Sequence, residues 1–207
     1  MGGGRQIGGP RGHVILRVIR GRASPQQLDQ LRAALQTSFE TNAVDVPGLT
    51  RFHFGSRQVN GQFDVVIVVF LTSAEAAANG DARGLTPLRV AEKLDLHYLE
   101  AAHFEVDETI LRNAETSPVA IRIATGRFSR RGADIEMQEL LRQRAPLIGE
   151  EMTEAYVGRR IVGRAVEVTF VSLWQRPPEG RRLEDTFWPD IALRYDHFEV
   201  EVYAIPI

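Results

Sequence analysis

Histidine trades a proton near neutral pH more readily than any other side chain, and this chain has five. Two of them open the same tetrapeptide, His-Phe-Glu-Val, at His103–Val106 and again at His197–Val200. A third, His53, stands two residues after Arg51 in Arg51-Phe52-His53-Phe54. Residues two apart on a strand share a face. Arg51 and His53 therefore present a guanidinium beside an imidazole, while His103 with Glu105, and His197 with Glu199, present an imidazole beside a carboxylate. Tyr203 joins the second of those faces, where its hydroxyl suits a hydrogen bond to a phenolate or quinone. Such groups fit proton transfer on a bound small molecule. They also fit a duplicated structural ion pair.

Several other chemistries are excluded. The chain has no cysteine, so thiol nucleophiles, disulfides and thiolate metal sites are absent. No GxGxxG, P-loop or GxSxG sequence occurs. Net charge is −2, with both signs interspersed, which gives no electrostatic footprint for nucleic acid or anionic lipid. At 43% apolar and 25% charged residues, the composition is that of a soluble globular protein. The longest apolar run, Val65–Leu71, is far short of the ~20 residues of a membrane span and reads as a buried strand. Residues 1–12, MGGGRQIGGPRG, lack the apolar stretch of a signal peptide and read as a flexible lead. A cytoplasmic location is the expectation.

The elements that position these groups are written twice. Offset by 105 residues, Leu16–Arg22 falls on Ile121–Arg127, pairing Arg17 with Arg122; offset by 102, Val68–Ser73 falls on Phe170–Gln175; offset by 94, the two HFEV words coincide. Each half reads as strand, helix, two strands, helix, strand, the βαββαβ pattern of a ferredoxin-like unit. In the first half the strands are Val14–Arg20, Leu49–Val59 and Gln62–Thr72. Ser24-Pro25-Gln26-Gln27 opens a helix with a capping box. Asn60-Gly61 joins two strands as a type I′ turn. A helix near Leu88–Ala101 leads into the strand with the first HFEV. The second half has strands Val119–Gly126, Tyr156–Gly163, Arg164–Trp174 and His197–Ile205, with helices near Ala133–Ala145 and Glu184–Leu193. The expected domains are residues 13–112 and 117–207.

With the Asn60-Gly61 turn setting the register, Phe52, Phe54, Val65, Ile67, Val69 and Leu71 face the helices. Arg51, His53, Val66, Val68 and Phe70 face the other way. The first strands split similarly, with Leu16, Val18, Ile121 and Ile123 toward the helices and Ile15, Arg17 and Ile19 on the bare face. That bare face is too apolar for water. The matching face of the other half would cover it, making a pseudo-dimeric α+β barrel with a cavity. On the last strands Phe104, Val106, Phe198 and Val200 are expected toward the helices. His103, Glu105, His197 and Glu199 are expected on the bare face, where Arg17 would pair with Glu105 and Arg122 with Glu199. His53, His103 and Glu105 would compose a two-His-one-carboxylate metal set. In a ferredoxin-like sheet, however, their strands lie ~14 Å apart, so no metal is expected.

The strand Glu167–Gln175, EVTFVSLWQ, with the preceding Val157–Arg160 and the order of the repeats, resembles the antibiotic-biosynthesis monooxygenase (ABM) family. The resemblance covers Val14–Val106 and Val119–Ile205. It implies an α+β barrel that binds a small hydrophobic, aromatic or polycyclic molecule, and oxygenation of that molecule without metal or flavin. The family's strand-end tryptophan falls on Trp174. The haem-degrading branch expects an asparagine where this chain has Arg17 and Arg122. Its histidine on the helix before the last strand is matched only by His97, so haem is not expected and no cofactor is assigned. The resemblance carries Trp174; with it the catalytic candidates are His53, Trp174 and Tyr203, and Arg17, Arg51, Phe70, Arg122 and Phe170 are expected to line the substrate. A homodimer is compatible with this reading. Two functions stay open: an ABM-like monooxygenase, or a non-catalytic binding or regulatory barrel.

Overall fold

The structure is a computed structural model, described here over residues 14–42, 48–84, 86–111, 117–128, 151–176 and 197–205. The chain divides into two compact units, Gly12–His103 and Phe104–Ile205. The fold is α+β, and every described strand pair is antiparallel. No described helix is long and apolar enough to cross a membrane.

The first unit runs β1 (Ile15–Ala23), α1 (Pro25–Asn42), β2 (Leu49–Val59), β3 (Gln62–Leu71), α2 (Ala74–Ala82), α3 (Pro87–Lys93) and the start of β4 (His97–Leu111). The capping box forms as its residue types demand. Gln27 N–H donates to Ser24 Oγ at 3.3 Å, and Ser24 N–H donates to Gln27 Oε1 at 2.9 Å. Asn60 and Gly61 both take positive φ, 51° and 79°. This is the type I′ turn that pairs Val59 with Gln62. β3 lies between β1 and β2. Leu28, Leu31 and Leu35 of α1 pack with Ile15, Ile19, Phe54, Val65, Ile67, Val69 and Leu71 to form the core.

That core corrects the expectation for the first strand. Arg17 pairs with Val69, and Val69 with Phe52, so Ile15, Arg17 and Ile19 face the helices. Leu16 and Val18 pair with Phe70 and Val68, on the face of Arg51 and His53. β1 is apolar on both sides, so alternation alone cannot orient it. Its neighbour's register decides.

The helix expected near Leu88–Ala101 is also shorter. It stops at Lys93, because Asp95 takes a left-handed φ of 50°. Leu96 is buried, and His97 opens β4 as a solvent-exposed strand residue instead of lying in a helix.

The second unit contains the rest of β4 with β5 (Ala120–Phe128), β6 (Met152–Val162), β7 (Ala165–Trp174) and β8 (His197–Ala204). Their order is β8-β5-β7-β6-β4. The last strand of the half therefore lies beside its first, as the expected pattern requires. The helices expected at 133–145 and 184–193 lie outside the described residues.

The β2–β3 and β6–β7 hairpins share several details of local structure. β2 carries a bulge between Leu49 and Arg51, and β6 carries one between Met152 and Glu154. Thr50 Oγ1 donates to the Phe70 carbonyl at 3.1 Å, and Thr153 Oγ1 donates to the Leu173 carbonyl at 3.1 Å. Thr72 N–H bonds the Gly48 carbonyl, and Gln175 N–H bonds that of Glu151. Asp64 is held by Arg22 and Arg57, and Glu167 by Arg127 and Arg160. On β2–β3 and β6–β7 every correspondence is 103 residues, one more than the 102 read from the sequence. Trp174 therefore matches Leu71, not Thr72.

Candidate functional site

In the first unit the face of β1–β3 away from α1 carries Leu16, Val18, Val66, Val68 and Phe70, all buried. Among these apolar side chains β2 places Arg51 and His53, opposite Phe70 and Val68 respectively. The Arg51 guanidinium lies over the Phe70 ring, Cζ 4.5 Å from its centroid, a cation–π contact. The His53 ring meets Phe70 edge-on at 6.0 Å. Its Nε2 is buried with no hydrogen-bond partner among the described residues. Burial, and then the neighbouring Arg51 charge, push the imidazole down to about 4. At neutral pH it is therefore an uncharged ring, and an Nε2 without a proton would carry an unused lone pair.

Burial makes the ring a weaker base than an ordinary histidine, so it takes a proton from an O–H or C–H group only where the resulting anion is itself stabilised nearby. The adjacent guanidinium is placed to stabilise the anion left behind. Of the candidate residues, the structure brings His53, Arg51 and Phe70 together.

Arg17 belongs elsewhere. It is on the opposite face of the sheet, where Nη1 and Nη2 donate to the Asp81 carboxylate of α2 at 2.8 Å each. Its Nε–H donates to His103 Nε2. The expected partner Glu105 is solvent-exposed and stands opposite Arg159 on β6. Thr86 completes the cluster by donating to Asp81. His103 thus joins the helix-side network instead of the face of His53, so the metal set of His53, His103 and Glu105 is not assembled. Among the described residues no group of three potential ligands is placed to hold a metal. Asp81 and Thr86 were not among the candidates. A carboxylate in the last turn of α2 opposes the helix dipole, and that is the signal that a cation from elsewhere holds it.

In the second unit Arg122, Phe170 and Trp174 share one face, because Arg122 pairs with Ser172, Ala124 with Phe170 and Ala120 with Trp174. Trp174 is buried. Its Nε1–H donates to Ser172 Oγ at 2.8 Å, and that hydroxyl lies 3.4 Å from the Arg122 carbonyl. The indole's single donor is therefore engaged. Tyr203 pairs with Ile121 and faces the other side, with its hydroxyl donating to Glu201 at 2.8 Å. Trp174 and Tyr203 are not brought together. Nor are Arg122 and Glu199: Arg122 stands opposite Val202 and Glu199 opposite Thr125, which puts them on opposite faces.

No protein-family model matches the chain, and no curated protein sequence does. Solved structures do. One bearing the name Putative monooxygenase, from Fusobacterium nucleatum subsp. nucleatum, superposes with a TM-score of 0.68 at 12% identity, over 95% of this chain and 94% of that one. An anthrone oxidase-like protein matches at 0.60 and 12%, over 94% and 92%. A chlorite dismutase from Candidatus Nitrospira defluvii matches at 0.57 and 10%, over 93% and 91%. At these identities the likeness is one of fold, and it spans nearly the full length of each chain.

Proposed function

We propose that this chain is two fused ferredoxin-like repeats forming a pseudo-dimeric α+β barrel, and that it acts as an ABM-like, cofactor-independent monooxygenase on a small aromatic or polycyclic molecule. The observation that carries the proposal is the buried Nε2 of an uncharged His53, without a hydrogen-bond partner among the described residues, beside Arg51 on an apolar face. Fold neighbours named for monooxygenase and anthrone oxidase chemistry support it.

An anthrone-type substrate has an acidified ring CH2 group. In this reading His53 Nε2 takes one proton, and Arg51 stabilises the enolate. The enolate passes one electron to O2, and the radical pair recombines as a peroxide anion, which the imidazolium protonates to the hydroperoxide. Loss of the second C–H proton breaks the O–O bond and releases water, leaving C=O. The balance is CH2 plus O2 giving C=O plus H2O, so no further reductant is required. Trp174, Tyr203, Arg122 and Phe170 enter the proposal as residues of the second repeat, and a homodimer is the proposed assembly.

The test is oxygen uptake and quinone formation with anthrone, for the wild type and for His53→Gln. A positioned base contributes roughly 10²–10⁴-fold, so a loss of at least 10²-fold is expected. Turnover unaffected by His53→Gln would remove the histidine from the mechanism. Ligand binding without oxygen uptake would favour the non-catalytic barrel instead.

A further inference from the structure

The recurring bulge, threonine bond, backbone link and Arg–acid–Arg clamp align β2–β3 with β6–β7 residue by residue. That alignment carries the site of the first unit onto definite positions in the second. His53 falls on Tyr156, Arg51 on Glu154, Phe70 on Leu173 and Val68 on Val171, and the pairings agree: His53 opposes Val68, and Tyr156 opposes Val171. The chemistry there is different. The Tyr156 hydroxyl donates to Glu154, and both residues are buried. An imidazole with an unused acceptor beside a cation has become a phenol bonded to a carboxylate, and the aromatic Phe70 has become an aliphatic leucine.

We infer that the chain has a single ligand-activating site, at Arg51, His53 and Phe70. On this inference the equivalent position in the second unit, Glu154 with Tyr156, is a structural plug and takes no ligand of that class. The inference rests on the proposed role of the His53 site, but it makes a separate claim about number. A duplicated chain that kept both sites would bind two ligands, and each half would depend on its own residues. At the second position the residue matching Arg51 is a carboxylate and the residue matching His53 is a phenol, so the pairing of a cation with an imidazole is not repeated there. Its tyrosine offers a donor, which is already bonded to Glu154.

Anthraquinone-2-sulfonate is a suitable probe, being flat, water-soluble, anionic and inert to oxygenation. Calorimetry should give one molecule per chain. Arg51→Gln should weaken binding by at least tenfold, while Tyr156→Phe and Glu154→Gln should leave it within twofold. Thermal melts of each variant show whether it is folded, and Tyr156→Phe is the milder change should Glu154→Gln unfold. Two molecules per chain, or equal weakening by Tyr156→Phe and Arg51→Gln, would overturn the single-site inference. One molecule bound with no turnover of anthrone would sink the oxygenase reading and leave the inference standing. No binding at all would sink both.

Discussion

The Arg17 guanidinium and the Asp81 carboxylate meet in two parallel hydrogen bonds of 2.8 Å, tying β1 to the last turn of α2. Burial pushes the Asp81 carboxyl up. The hydrogen bonds from Arg17 and Thr86, with the charges of Arg17 and Arg89, outweigh burial and hold it below its ordinary value. The fork geometry aims both donors at one carboxylate, so this pair sets where α2 docks.

Removing one partner strands a buried charge. Arg17→Met should cost about 3 kcal/mol, the lower end for a buried pair because Asp81 keeps some contact with water. The double substitution Arg17→Met with Asp81→Leu should recover much of that loss. Urea melts of the two single variants and the double variant decide it, and simple additivity would show that the residues do not interact. Because the folded carboxyl is depressed, its contribution is fully present above about pH 4 and is lost as pH falls through the folded value. Asp81→Asn should flatten that acid limb.

His53 predicts a second pH dependence. Its imidazole sits at about 4 in the fold, against about 6.5 in an unfolded chain. Between those values the unfolded chain holds a proton that the fold does not, so stability rises with pH across the window. The contribution is complete above about pH 6.5 and lost as pH falls through about 4. Between pH 7 and 4 the wild type should therefore lose stability more steeply than His53→Gln. Parallel curves would mean that the ring is solvated.

Thr169 is fully buried, and its Oγ1 has no hydrogen-bond partner among the described residues. An unsatisfied hydroxyl costs about 1–3 kcal/mol, and valine has nearly the same shape. Thr169→Val should leave stability unchanged or raise it by about 1 kcal/mol. A clear loss in a denaturant melt would reveal a partner for the hydroxyl.

Gly158 is glycine for want of room. A Cβ there would stand 2.9 Å from Phe104 Cβ and 3.3 Å from the Glu105 carbonyl, where β4 crosses β6. Gly158→Ala should cost about 1–3 kcal/mol through forced backbone shifts. Gly21→Ala is the control, since the nearest neighbours of its new Cβ would be the Leu96 and Leu99 side chains, none nearer than 3.4 Å, and it should cost less. Equal losses would show that β4 and β6 can separate cheaply.

Short-range chemistry was legible in the chain itself. Ser24 and Gln27 form their capping box, and Asn60-Gly61 makes its turn, because each outcome depends on a few adjacent dihedral angles. Once that turn is set, the faces of β2 and β3 follow, and with them the grouping of Arg51, His53 and Phe70. The clamps of Arg57 on Asp64 and Arg160 on Glu167 were within reach of the same reasoning, since each pair stands directly opposite across a hairpin.

What the tertiary structure alone decided were the choices joining distant segments. β1 has Ile15, Leu16, Val18 and Ile19 on its two faces, so nothing local tells which face Arg17 takes. Pairing with β3 turns it toward α2, where Asp81 waits 64 residues away. The side of Trp174 follows from which β5 residue it opposes. That register is settled by packing and hydrogen bonding along whole strands, and a one-residue slip reverses every side chain.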